Sequence, residues 1–191
     1  WGNILSGVDL IRKKEGDTAY GMTAPLVINK STGRKFGKSE GGAVWLNADK
    51  TSVYQFYQFW LNTDDESVID YLKLFTLLDK EDIEAAAENH AINPGARSAQ
   101  KILAHEVTAL VHGRERTESV MRVTEVLFGG GDVTGLDDAD LDALAAEIPE
   151  GAMGQSTVAL LAEAGIASSN GDARRLLKNG AISRNGEKIF E

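Results

Sequence analysis

The sequence predicts a mainly α chain, with a short α/β piece in front and a small α+β unit at the end. Three observations predict it. The continuous apolar run Pro25-Leu26-Val27-Ile28-Asn29 reads as a buried strand and delivers the chain to a loop of small and polar residues, Ser31 to Gly42. From Thr51 the hydrophobic period becomes helical and stays so. Near the end, Asn185-Gly186 between two short apolar runs is a strong hairpin signal.

Composition bounds the function. The chain has 191 residues, 42% of them hydrophobic and 26% charged, which suits one or two soluble domains with a sizeable core. No run approaches a membrane span, and no signal-peptide pattern opens the chain. Cysteine is absent, so disulfides and thiolate metal sites are excluded; this is compatible with the cytoplasm. A net charge of -9 argues against nucleic-acid binding through the bulk field, so any RNA contact must be local. Charge is uneven: Thr63 to Glu88 is strongly acidic, whereas Arg174, Arg175, Lys178, Arg184 and Lys188 gather near the end. The chain opens on Trp1 and closes on Ile189-Phe190-Glu191, which reads as a strand, so both ends are expected to be cut from something longer.

Taken in order, residues 3–14 read as a helix with Ile4, Leu5, Val8 and Ile11 on one face, basic residues in the last turn and Gly16 as its stop. Ser52 with Gln55, and Thr63 with Glu66, read as capping boxes. The helix they bracket, Val53 to Leu61, is aromatic nearly all round; RNA stacking is one reading, and burial between two layers is the favoured one. A helix from Ser67 to Thr76 follows, with Val68, Ile69, Leu72 and Phe75 inward, then a short acidic helix capped by Asp79 and running through Glu88. Pro94-Gly95 breaks the chain before a long amphipathic helix, Ala99 to Val111, that stops at Gly113. His105 and His112 lie seven residues apart on it; without a His-Glu-x-x-His pattern they read as surface or half-buried residues, not ligands. Glu115 to Phe128 reads as a helix stopped by Gly129-Gly130-Gly131, and Asp137 to Ile148 as a short acidic one. Pro149 to Gly154 reads as a linker. Beyond it lie a helix from Thr157 to Ala164, a second from Asp172 to Lys178 capped by Asn170, and the hairpin.

The chemistry-bearing stretch is Lys35-Phe36-Gly37-Lys38-Ser39. Two ammonium groups and a hydroxyl on a glycine-rich loop can follow the charge of a polyphosphate as it moves. The Walker pattern does not fit, because no glycine stands five residues before a Gly-Lys-Ser and no helix follows at once. A strand end feeding such a loop is a usual site location in open α/β sheets.

The loop and its flanks, Thr23-Ala24-Pro25-Leu26-Val27 before it and Tyr54 to Asp65 after it, together with Trp1-Gly2-Asn3-Ile4, resemble bacterial tyrosyl-tRNA synthetase, a class I aminoacyl-tRNA synthetase. In that family the loop is the KMSKS signature. The last unit, with its Arg174-Arg175-Leu176-Leu177-Lys178-Asn179-Gly180 motif, resembles the small RNA-binding domain of ribosomal small-subunit protein four. The resemblance implies three parts: residues 1–48 as the tail of a Rossmann-type catalytic domain, 49–150 as a helical anticodon-binding domain, and 154–191 as a partial RNA-binding domain. It implies a tyrosine-tRNA ligase, with ATP as substrate and Mg²⁺ accompanying it, no protein-bound metal, tyrosine and tRNA(Tyr) as partners, and a cytoplasmic setting. The implied catalytic residues are Lys35, Lys38 and Ser39. ATP binding falls to Lys35, Phe36, Gly37, Lys38 and Ser39, with the backbone at Leu26 and Val27 against the adenine. RNA binding falls to Arg174, Arg175, Lys178, Asn179 and Arg184. The family's ATP-binding histidine signature and its tyrosine-reading residues are absent here, so the expectation is half an active site, inactive alone. The expected parent is a homodimer whose contact lies mostly upstream of Trp1. Two other readings stand beside it: a non-catalytic RNA-binding or regulatory protein derived from a synthetase tail, and a tryptophan-specific synthetase.

Overall fold

The computed structural model describes residues 1–191 except 34, 38–43, 150, 152–153, 185–186 and 191. It is mainly helical, as the periodicity predicts. Helix α1 spans Gly2–Glu15 and ends at Gly16, whose φ of 75° is the left-handed turn that glycine adopts without strain. Its predicted inward face is bare: no residue of α1 is buried, and Leu5 and Leu10 are more than half exposed.

The helical core is built from α2 (Val53–Leu61), α3 (Val68–Phe75), α4 (Lys80–Ile92), α5 (Ser98–His112) and α6 (Arg114–Thr124). Phe56, Tyr57 and Trp60 of α2 are buried against Val68, Tyr71 and Leu72 of α3 and Leu103, Ala104 and Val107 of α5. The aromatic helix is thus a central packing element, which decides between the two readings of it. Ile83 and Ala86 of α4 and Val120 of α6 complete the cluster.

Several local expectations change. The Ser52 hydroxyl accepts from the Gln55 amide, but the Gln55 side chain donates to Glu147, so the box is half formed. Ser52 also bonds Glu147 through its hydroxyl. Thr63 and Glu66 form no box, because α3 starts later; Asp64 instead accepts from the Ser67 amide at 2.8 Å. Helix α4 runs past Glu88 to Ile92. The helix expected to reach Phe128 ends at Thr124 and passes into a wider turn, Glu125–Gly129, closed by Gly130 at φ 78°.

Helix α7 (Asp138–Ala145) carries the true capping box, Asp137 with Asp140, spelled with aspartate in place of the glutamate that signals one. Asp140 has no exposed surface and takes two bonds from Arg122, at 2.6 and 2.8 Å, which clamp α7 to α6. The Arg122 guanidinium holds the Asp140 carboxyl below its ordinary pKa against the opposing effect of burial. A carboxylate with a lowered folded pKa adds stability above its unfolded value, about 3.9, and that stability is lost as pH falls through the folded value. Asp140→Ala is therefore expected to cost about 2 kcal/mol at pH 7, the scale of lost charged hydrogen bonds. Urea unfolding at pH 7 and near pH 3 checks this, since the gap from the unmutated chain should close in acid. A gap that is equal at both values would remove the ion pair from the account.

The last unit has its own small core. Leu161 of α8 (Thr157–Glu163), Ala167, and Ala173 and Leu177 of α9 (Asn170–Lys178) are buried, with Ile182 and Ile189 of the hairpin packed on them. Ser169, not Asn170, caps α9, and its hydroxyl accepts from the Asp172 amide. Strands β1 (Ile182–Arg184) and β2 (Glu187–Ile189) pair antiparallel, with Arg184 opposite Glu187. That register leaves two residues for the turn; Asn185 and Gly186 themselves lie outside the described residues.

Candidate functional site

The strand expected at 25–29 is reduced to a single bridge, Ile28 with Lys35. Leu26 and Ile28 are largely exposed, at 63% and 48%, where a buried strand would hide them. A lone extended segment stays a strand only when neighbours pair with it, and among the described residues only the loop's returning limb does so. Val27, by contrast, is half-buried against the helical core.

The segment still shapes the loop. The Phe36 amide donates to the Val27 carbonyl at 2.9 Å, and Gly33 at φ 65° donates to the Asn29 carbonyl at 2.8 Å, closing a tight turn. Asn29 holds that turn from inside: its Oδ1 accepts from the Thr32 amide and from the hydroxyls of Ser31 and Thr32, each at 2.8 Å. Its other end, Nδ2, donates to Asp64 Oδ2 at 2.8 Å. The Lys30 amide donates to the Ser67 hydroxyl at 3.0 Å, and the Lys30 ammonium pairs with Asp70 at 2.6 Å. The Asp70 carboxylate raises the Lys30 pKa, so this lysine stays a cation tied to α3. The loop stem is therefore stitched to the start of α3, and sequence reasoning missed the residues that do it. The only sequence signal was the turn preference of Asn29 before Ser31 and Thr32.

The partner segment is itself held rigidly. Arg97, in a left-handed conformation at φ 53°, donates to the Leu61 carbonyl at 2.7 Å. Gln100, with no exposed surface, donates to Asp65 Oδ1 at 2.6 Å. His90 Nε2 lies 3.7 Å from the same oxygen.

Between stem and helices opens a cleft of about 600 Å³, lined by Asn29, Ser31, Lys35, Gly37, Phe59 and Asp64 among others. Lys35 is exposed on its rim, with no ion-pair partner among the described residues. Phe36 also lines the cleft, and its ring packs on aromatic residues of α2 and α3. Gly37 has a φ of 77°, a conformation that glycine adopts without strain. Lys38 and Ser39 lie outside the described residues. No cluster that could hold a metal occurs among the described residues.

The second candidate surface is α9 with its hairpin. Ala173 and Leu177 face inward, which leaves Arg174, Arg175, Lys178 and Asn179 exposed. Arg184 is exposed on β1. Arg175 is engaged locally by Asp172 at 2.7 Å. Asp172 is held below its ordinary pKa first by the Ser168 amide, then by the Ser168 hydroxyl and by Arg175. Arg174 and Lys178 form no ion pair among the described residues.

Comparison with known proteins bears on both surfaces. Residues 140–191 match a family model described as the tyrosine–tRNA ligase SYY-like C-terminal domain. The tyrosine–tRNA ligase of Staphylococcus haemolyticus (strain JCSC1435) is 47% identical over 192 residues, 98% of this chain and 45% of that protein. That of Geobacillus stearothermophilus is 48% identical over 194 residues, 99% of this chain and 46% of that protein. The chain thus spans a little under half the length of these relatives. A crystal structure of a C-terminally truncated Coccidioides posadasii mitochondrial tyrosyl-tRNA synthetase aligns with a TM-score of 0.51 at 32% identity, covering 62% of this chain and 35% of that one. Residues 1–129, about two thirds of the chain, match the family model for class I tRNA synthetases (W and Y), and the chain belongs to that family.

Proposed function

We propose that this chain is the part of a tyrosine–tRNA ligase that carries the pyrophosphate-binding loop and the tRNA-binding surfaces. The observation that carries the reading is Lys35, exposed and without an ion pair among the described residues, on a stem braced against the helical core, inside a segment that matches the class I family. The C-terminal match and the tyrosine–tRNA ligase relatives favour tyrosine over tryptophan.

The reaction has two steps. A tyrosine carboxylate oxygen attacks the α-phosphorus of ATP, the bond from that phosphorus to the bridging oxygen breaks, and tyrosyl-adenylate and pyrophosphate form. A ribose hydroxyl at the tRNA terminus then takes the tyrosyl group and releases AMP. Lys35, Lys38 and Ser39 act in the first step, where charge builds on departing pyrophosphate: two cations and a hydroxyl donor meet that charge. Gly37 lets the backbone approach the phosphates, and the backbone at Leu26 and Val27 lies along the adenine. Mg²⁺ would arrive with ATP as part of the substrate. Residues 1–48 belong to the catalytic domain, 49–150 to the anticodon-binding domain and 154–191 to the RNA-binding domain. The parent enzyme is a cytoplasmic homodimer. This chain alone forms no adenylate, because its 191 residues contain no tyrosine-reading pocket by the family's pattern.

The tRNA arm of the proposal rests on Arg174, Arg175, Lys178, Asn179 and Arg184. Each phosphate a cation neutralises releases counterions, so each lost cation should flatten the salt dependence of binding by roughly one unit of slope. Neutralising Arg174 and Arg175 together in the full-length enzyme is expected to weaken tRNA(Tyr) binding and lower that slope, with Arg174 contributing more because Arg175 is already paired. Fluorescence titrations across a salt series read both quantities. Unchanged affinity and slope would make this helix face merely solvated.

A further inference from the structure

Phe36 sits between the proposed phosphate-binding lysine and Gly37, and its ring turns to other partners. It enters a cage formed by four aromatic side chains of the helical core. Ring centroids lie 5.2 Å from Phe75, 5.3 Å from Tyr71, 5.7 Å from Trp60 and 5.9 Å from Phe59. The Phe75 and Trp60 rings are inclined by 36° and 28°, and those of Tyr71 and Phe59 stand edge-on at 72° and 66°. The ring is thus gripped from both its face and its edge. Three of the four partners also contact one another: Trp60 lies 5.0 Å from Phe75 and 6.4 Å from Tyr71, and Tyr71 lies 5.6 Å from Phe75. Trp60 and Tyr71 are 5% and 3% exposed, so the cage is part of the core and moves only with it.

The backbone on either side is fixed differently. Phe36 donates to Val27, and Lys35 bridges to Ile28, so the stem is tied edge to edge. Those bonds fix the two limbs of the stem to each other, not the loop end to the helical core. The Phe36 ring, with Val27 beside it, packs the loop end of the stem on the core, while Asn29 and Lys30 anchor it further back. Lys35 and Phe36 share a peptide unit and both border the cleft, so the seat of the Phe36 ring bears directly on where Lys35 starts.

We propose that Phe36 is the positioning residue of this loop: gripped by Phe59, Trp60, Tyr71 and Phe75, it fixes where the Lys35 ammonium meets the polyphosphate. This rests on the loop's proposed role in adenylate formation. It adds that the helical core, not the loop's own sequence, sets the geometry of the cationic end. A misplacement of about 1 Å in a charge that acts on the leaving group is enough to cost one to two orders of magnitude in rate.

The test uses the full-length enzyme that contains this chain, with Phe36→Met, Lys35→Ala and the double variant. Single-turnover tyrosyl-adenylate formation, equilibrium tyrosine binding and Tm are measured for each. Phe36→Met, which keeps an apolar side chain of similar length, is expected to slow adenylate formation about tenfold while tyrosine binding and Tm hold. A side chain that served only to fill the core would lower Tm and leave the rate alone. The double variant should be no slower than Lys35→Ala, because Phe36 acts through Lys35. Rate losses that multiply, or a Phe36→Met rate equal to wild type, would overturn the inference while leaving the phosphate-binding role of the loop intact. A Lys35→Ala rate equal to wild type would instead remove that role and this inference with it. If Phe36→Met fails to fold, Phe59→Leu opens the cage from its exposed side and should give the same rate loss and the same non-multiplicative combination with Lys35→Ala; wild-type rates there would overturn the inference equally.

Discussion

Replacing Phe56 by alanine is expected to destabilise the chain by about 3–5 kcal/mol, the range for truncating a buried aromatic side chain. Phe56 is 1% exposed and sits where α2 crosses α5. Its ring stands edge-on to Trp60 at 6.2 Å and to His112 at 4.8 Å. Alanine there removes the ring's transfer energy and leaves a void that two rings line. Neither can collapse into it easily, because Trp60 is itself held by Phe36, Phe59 and Phe75. His112 adds a pH-dependent part. Burial, then the charge of Arg116, lowers its pKa, so the fold favours the neutral ring beside Phe56. A histidine with a lowered folded pKa contributes its stability above about pH 6.5 and loses it as pH falls. Urea unfolding of Phe56→Ala at pH 7.5 measures the loss. Against a total stability of 5–15 kcal/mol for a typical domain, it should shift the midpoint severely. A loss under about 1 kcal/mol would mean that α2 is not the centre of this core.

The helical part of the chain was legible because its signals are local. The predicted bounds of α2, Val53 to Leu61, are those observed, since Ser52 supplies the cap and Asn62 the stop. Gly113 and Gly16 end their helices where the period fails. Misreadings arose where a local signal competed with a distant partner. Gln55 looked like the second half of a capping box, but Glu147, far along the chain, takes its side chain. Thr63 looked like a cap, but its carbonyl serves Arg97 and Gln100, and the turn belongs to Asp64. The apolar run at 25–29 carries the composition of a buried strand, but burial depends on neighbours that composition does not specify. Among the described residues Val27 alone of its three branched or long aliphatic residues packs on the core. The α1 face is the same case, periodic in sequence and bare in the fold.

At the candidate site the motif was visible in the sequence, and the contacts that hold it were not. Two lysines, a glycine and a serine suggest a loop suited to phosphate charge, a role that belongs to the proposal above. Nothing in the motif says which of its residues are braced. Asn29, Asp64 and Asp70 act across more than thirty residues of chain, and the Phe36 cage joins residues from the loop, α2 and α3. Such pairings become visible only once the helices are placed.

Lys38→Ala in the full-length enzyme is expected to slow tyrosyl-adenylate formation about a hundredfold. Removing one donor that meets developing charge typically costs on the order of 3 kcal/mol. In the proposed role the ammonium meets charge that appears as the bond from the α-phosphorus to pyrophosphate lengthens, which would make its interaction stronger in the transition state than with bound ATP. Interactions of that kind raise kcat rather than lower KM. The proposal places tyrosine binding outside this loop, so tyrosine affinity should stay near normal. Lys35→Ala should behave in the same way, and Ser39→Ala more weakly, since a hydroxyl donates a neutral hydrogen bond.

The most direct test is single-turnover formation of tyrosyl-adenylate by the wild-type and Lys38→Ala full-length enzymes, with tyrosine affinity measured alongside. A forward rate constant lower by about a hundredfold at unchanged tyrosine affinity is the result expected of a loop that clamps departing pyrophosphate. An unchanged rate constant with weakened tyrosine binding would contradict it and make Lys38 a structural residue.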